Sequence, residues 1–257
     1  IGNYGGTLVR GNEINSESTF ILDREAKETI PNIAKDWEFS EEGKVLTIYL
    51  REGMKWSDGE PLTADDYLFN YNHIIQNKVL MEITPNWAKV DGEEIKMKKI
   101  DDYTIQMQFA KPFYAVLHMM NFVGKRNYFK PVPSHFLKKY HIDFNENADK
   151  IAEEEGFDSW DQYFSLVANL DENEENFTGP KLGMPTLDPW VFKEETPTTI
   201  VYERNPYYWK VDSEGNQLPY IDEHHWDLID DREVRIMKIL NGELDFVAWG
   251  TSIEDYP

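Results

Sequence analysis

The chain has 257 residues, 40% hydrophobic and 14% aromatic, which supplies a core and excludes disorder throughout. Lys and Arg total 26 against 48 for Asp and Glu, and the resulting charge of -22 repels phosphate backbones and anionic bilayers, so nucleic acid is excluded as an expected partner. The lack of any Cys removes disulfides, thiolate metal sites, iron–sulfur clusters and cysteine nucleophiles together.

In chain order, Thr7–Arg10 is a short candidate strand after a Gly-Gly pair, and Gly11–Ser18 reads as polar loop. Trp37–Phe39 ends a second strand, joined by a hairpin-length link containing Gly43 to Val45–Leu50, whose alternation predicts one well-buried face. Ser57-Asp58-Gly59-Glu60-Pro61 concentrates turn formers. Thr63 and Asp66 then make a shortened capping box, opening a helix with Ala64, Tyr67, Leu68, Tyr71, Ile74 and Ile75 in one apolar stripe. Lys78–Gly92 is irregular, and Tyr103–Phe109 alternates as a half-buried strand. Ala115–Met120 is a short apolar helix, and another starts at Pro133 or Ser134 with Phe136, Leu137 and Tyr140 on one side. Glu153–Glu155 reads as a solvated helix face.

Ser159 and Gln162 predict a second capping box, followed by Trp160, Tyr163, Phe164, Val167 and Leu170 at helical spacing, an aromatic stripe better suited to core than to a ligand platform. Leu187–Lys193 and Thr198–Arg204 form a strand pair. Asp212–Asn216 lacks the spacing and terminal Glu of a calcium loop and reads as a tight turn. Asp231 caps a last helix whose Val234, Met237 and Leu240 are expected to face inward; Asn241-Gly242 ends it, and Leu244–Trp249 follows as a strand.

The run Leu50–Tyr71, LREGMKWSDGEPLTADDYLFNY, resembles the signature of the family 5 extracellular solute-binding proteins, the oligopeptide, dipeptide, nickel and oligosaccharide receptors of ABC importers. Glu203–Asp222, ERNPYYWKVDSEGNQLPYID, and the Asn241–Phe246 run, NGELDF, resemble two further hallmarks of that family. The resemblance implies an α/β fold: the mixed-sheet first lobe of a two-lobe, class II periplasmic-binding-protein-like architecture with a small accessory α/β subdomain. Residues 1–36 and 131–257 are expected to form the main lobe, incomplete in this chain, and 37–130 the accessory part. The opposing lobe is expected to lie outside this chain.

The implied function is capture of an oligopeptide or oligosaccharide outside the membrane for delivery to ABC permease subunits, with no bond broken. An extracellular or periplasmic location with a lipoprotein anchor follows from the same resemblance, as does an exposed apolar face favouring self-association of the lone lobe. Gly11, Asn12, Trp87 and Asn121 are nominated as ligand-binding residues from their places beside candidate strands or helices.

No G-x-S-x-G, H-E-x-x-H or phosphate-cradling glycine loop is present, so no catalytic residue, cofactor or metal is expected. His224 and His225 are adjacent, and in a strand they would point to opposite faces. The abundance of carboxylates leaves a glycoside hydrolase, or another extracellular carbohydrate-active enzyme, as the alternative.

Overall fold

The computed structural model describes residues 17–121, 129–170 and 178–246. Two short strands, β1 (Phe20–Leu22) and β2 (Thr29–Pro31), pair antiparallel and lead into β3 (Ala34–Ser40). β3 forms a hairpin with β4 (Val45–Leu50). Its link needs a left-handed residue: Gly43 has φ 87°, and a Cβ there would lie 2.5 Å from the Tyr114 ring. The helix α1 (Ala64–Phe69) continues directly into a wider π turn, Asn70–Ile75.

A small strand, β5 (Lys89–Val90), lies within the Lys78–Gly92 segment expected to be irregular, and pairs with β6 (Glu93–Glu94) just beyond it. Next come β7 (Lys96–Asp101) and β8 (Thr104–Gln108), which complete a four-stranded antiparallel sheet in the order β3-β4-β8-β7. β4 is an inner strand, and Val45, Leu46, Thr47, Ile48 and Leu50 are all buried. Alternation predicts one buried face, but here both faces are covered, as befits its central place.

The helices α2 (Val116–Met120), α3 (Ser134–Leu137), α4 (Ala148–Glu154) and α5 (Trp160–Val167) follow. A capping box at α5 is not what forms: the Ser159 side chain makes no cap, and the Asp149 carboxylate instead accepts the Trp160 N–H at 2.9 Å. A neighbouring helix has displaced the local capping group. After α6 (Thr178–Lys181), the strands β9 (Trp190–Glu195), β10 (Thr199–Arg204) and β11 (Glu223–Asp227) build a three-stranded antiparallel sheet with β10 in the middle. The final helix is α7 (Arg232–Leu240).

Asp231 caps α7 as its sequence predicts, accepting the Val234 N–H at 3.0 Å. Its apolar stripe does not face inward. Val234, Met237 and Leu240 are 49%, 58% and 54% exposed, whereas Arg235 is buried and Lys238 pairs with Asp227 on β11. The side turned toward the fold carries Arg235 and Lys238 together with the half-buried Ile236 and Ile239. Leu244–Phe246 is irregular rather than extended, and residues 247–249 of the expected strand lie outside the described residues, as does the candidate strand Thr7–Arg10.

Three apolar clusters organise the core. The first gathers Phe20, the inner faces of β4 and β8, and Tyr67, Tyr71 and Ile75 from the central helix. The second takes Phe69 and Ile74 from the same helical segment and packs them with Leu137, Tyr140 and the aromatic stripe of α5. The segment Ala64–Ile75 therefore has two buried sides, where a single stripe was expected; the added residue of a π turn helps to present both. A third, smaller cluster joins Ile33, Met54, Trp56, Leu62 and Leu187, with Trp209 against it.

Candidate ligand-binding region

A polar network ties the start of the described chain to the segment before β9 and to the connection between β10 and β11. Asn32 follows β2, Asp188 precedes β9, and Asn205, Tyr208 and Lys210 follow β10. Glu17 is the hub: its carboxylate accepts from Tyr208 at 2.5 Å, from Lys210 at 2.8 Å and from Asn32 Nδ2 at 2.8 Å. Its own N–H donates to Asp188 Oδ1 at 3.1 Å. Asn205, fully buried, donates from Nδ2 to the Asp188 carbonyl at 2.8 Å and accepts the Tyr207 N–H at 2.9 Å.

This network explains the wording of the Arg204-Asn205-Pro206-Tyr207-Tyr208-Trp209-Lys210 hallmark. Asn205 closes the turn, Tyr208 and Lys210 reach Glu17, and Trp209 lies beneath the Arg51 guanidinium at 5.4 Å. Burial, helped by the nearby Glu17 carboxylate, raises the Asp188 carboxyl to about 7. Burial and Glu17 also push the Tyr208 phenol up, which keeps that hydroxyl a donor. The arrangement is a clamp: charge-compensated, with its groups committed to one another. Gly11 and Asn12, nominated in that segment, lie outside the described residues.

Of the other nominated residues, Trp87 sits in a 3-10 turn at Asn86–Ala88, half-buried, with its ring edge-on to Phe129 at 5.1 Å. It packs against the first cluster. Asn121 ends α2, and its Nδ2 donates to Thr29 Oγ1 at 2.8 Å. Its Oδ1 is buried with no hydrogen-bond partner among the described residues, which leaves one acceptor available to a further donor. Trp87 and α2 thus border the same core cluster.

Elsewhere, an open depression of about 730 Å³ is lined by Tyr71, Gln76, Lys78, Glu94 and Met97, among others. Lys78 and Glu94 face each other there at 3.7 Å. Burial pushes the Tyr71 phenol up to about 12, and its hydroxyl donates to the Ile95 carbonyl.

His224 and His225 do take opposite faces of β11. His224 lies among Trp190, Tyr202 and Trp226, and burial lowers it to about 4, whereas His225 is exposed beside Glu223. A group that sequence reasoning missed is His73, His141 and Asp143, whose ligand atoms lie within 4.8 Å of one another. The only local signal was His141-Ile142-Asp143, since His73 stands 68 residues before His141.

Comparison with known proteins decides the family. The family model described as "Bacterial extracellular solute-binding proteins, family 5 Middle" matches residues 28–256. The chain belongs to the family 5 solute-binding proteins. Among its relatives in this family, the periplasmic alpha-galactoside-binding protein of Rhizobium meliloti is 35% identical over 210 residues, covering 81% of this chain and 27% of the relative. The periplasmic oligopeptide-binding protein OppA of Salmonella typhimurium is 25% identical over 241 residues, 87% of this chain and 36% of the relative.

Among solved structures, an oligopeptide-binding protein OppA superposes with a TM-score of 0.79 at 33% identity, covering 94% of this chain and 37% of that one. The periplasmic binding protein MelB from Agrobacterium fabrum, in complex with stachyose, gives a TM-score of 0.67 at 32% identity, covering 92% and 33%. These likenesses place the described fold within a family 5 lobe. The chain spans 27% and 36% of the length of the two relatives named above. The family consists of substrate-binding proteins, not enzymes.

Proposed function

We propose that this chain forms part of the substrate-binding component of an ABC importer, which captures an oligosaccharide outside the membrane and hands it unchanged to a permease. The observation that carries this reading is the relationship to the alpha-galactoside-binding protein, at 35% identity over four-fifths of the chain, supported by the likeness to a stachyose complex. An oligopeptide is the second reading, favoured by the OppA superposition. A glycoside hydrolase would require a pair of acids flanking a bond. The carboxylate of Glu17 is instead occupied by Lys210, Tyr208 and Asn32.

Within this proposal, residues 37–130 act as an accessory subdomain beside a main lobe of 1–36 and 131–257. The four-stranded sheet, which uses residues 34–108, supports that division. Gly11, Asn12, Trp87 and Asn121 contribute to the solute cleft, with the spare acceptor of Asn121 supporting its inclusion. The location is periplasmic or extracellular, with a lipoprotein anchor.

Thermal shift of the full-length protein carrying this chain tests the reading. A solute that binds only the folded state adds about 2.7 kcal/mol of stability by mass action at a hundredfold excess over Kd, and the midpoint rises accordingly. Stachyose-like α-galactosides should produce this rise, and should be recovered intact. A rise with mixed oligopeptides alone selects the second reading, and release of shortened sugars selects the enzyme.

A further inference from the structure

Two histidines and an aspartate, distant in sequence, converge where the π turn after α1 meets the turn that follows Tyr140. His73 Nδ1 lies 3.3 Å from Asp143 Oδ2, and His141 Nδ1 lies 3.8 Å from the same oxygen. We propose that His73, His141 and Asp143 form a binding site for a divalent transition cation of the zinc class, stapling the residue 70–75 turn to the 141–143 turn.

The first argument is geometric. Bonds of about 2.0–2.2 Å in a tetrahedral site hold neighbouring N and O ligands roughly 3.3–3.5 Å apart. One edge of the triangle already has that length and another is a few tenths of an ångström longer. The donor set of two imidazoles and one carboxylate suits zinc, nickel or cobalt better than calcium or magnesium, which prefer oxygen. It also leaves positions open. The His73 and Asp143 side chains are 34% and 52% exposed, so water can complete the coordination.

The second argument concerns His141, whose side chain is fully buried. Its Nε2–H donates to the His73 carbonyl at 3.0 Å, with Asn77 Nδ2 3.4 Å from the same nitrogen. That bond places the proton on Nε2 and leaves Nδ1 with its lone pair turned toward Asp143, the arrangement in which a metal-bound imidazole is usually held. Nδ1 accepts the Asp143 N–H at 3.2 Å, a contact the cation must displace by a small rotation of this exposed turn. The rings of Phe69, Phe144, Phe164 and Trp160 surround the imidazoles and shield the buried side from water.

Without a cation, the same residues are held only by their mutual hydrogen bonds: His73 Nδ1 with Asp143 Oδ2, His141 Nε2–H with the His73 carbonyl, and the Asp143 N–H with His141 Nδ1. Calorimetric titration of the 257-residue chain, first stripped with a chelator, distinguishes the two. Zinc should bind at one per chain and raise the thermal midpoint, and cobalt should develop the visible absorption of a low-coordinate site. His73→Ala and Asp143→Asn, both on the exposed rim, should each weaken zinc binding at least about tenfold, while His225→Ala leaves it unchanged. Far-UV circular dichroism checks that the variants fold. The proposal is overturned if zinc is not taken up, or if the two rim variants bind it as tightly as the parent.

Discussion

Asp66 Oδ1 accepts the Ser134 N–H at 3.1 Å, so the carboxylate that closes the N-terminal box of α1 also anchors the start of α3. Its other oxygen takes the Thr63 N–H at 3.0 Å and the Trp56 indole N–H at 3.2 Å, and the residue is 3% exposed. Asp66→Ala would leave two buried donors and one half-buried donor unpaired, an expected loss of about 3 kcal/mol. Thr63→Ala removes only the hydroxyl half of the box and should cost about 1 kcal/mol. Urea midpoints of the two variants give the ordering. Equal losses would mean that Asp66 serves only as a helix cap.

Trp87 is half-buried and edge-on to Phe129. Trp87→Ala should destabilise the fold by about 2 kcal/mol, less than the loss for a fully enclosed ring. If Trp87 also lines the cleft, the same change in the full-length protein lowers solute affinity beyond what the stability loss explains. Unchanged affinity with a lowered midpoint would assign Trp87 to packing alone.

Two groups make stability depend on pH with opposite signs. The folded state raises Asp188 from 3.8 to about 7, so its contribution is greatest at low pH and is lost as pH rises through that window. It lowers His224 from 6.5 to about 4, so this contribution is present above 6.5 and is lost as pH falls toward 4. Both side chains are partly covered, and after discounting for solvent each amounts to about 1–2 kcal/mol. Between pH 4 and 6.5 the slopes offset each other. Relative to the parent, Asp188→Asn should lose stability between pH 7.5 and 5, and His224→Gln should gain it. Denaturant midpoints at the two pH values check the signs; parallel behaviour of the two variants would refute the opposition.

Local grammar carried much of this fold. Val45–Leu50, the Thr63–Asp66 box and the α5 stripe were legible because periodicity and capping are written within a few residues. Ser159 shows the limit, since its capping role passes to Asp149, ten residues earlier in sequence and brought close by helix packing. The second buried side of the central helix was hidden for a related reason: by spacing Ile74 belongs to the single stripe and Phe69 only widens it, whereas both pack into another cluster. Site residues were less legible. The Glu17 clamp joins positions 171 to 193 residues apart, and no sequence window contains it.

The exposed stripe of α7 gives the last prediction. Arg235 and Lys238, three residues apart, turn toward the fold, which rotates Val234, Met237 and Leu240 to the outside. Removing apolar side chains from such positions should leave the stability of the 257-residue chain within about 0.5 kcal/mol. The same groups form a contiguous apolar surface of the kind that drives association. Met237→Glu with Leu240→Gln should therefore shift sedimentation at high concentration toward monomer while the thermal midpoint stays in place. In a protein of the relatives' full length, an additional midpoint loss in this double variant would show that a further segment covers the stripe. A large loss already in the 257-residue chain would mean that α7 packs by its apolar side, with Met237 and Leu240 turned inward rather than toward solvent.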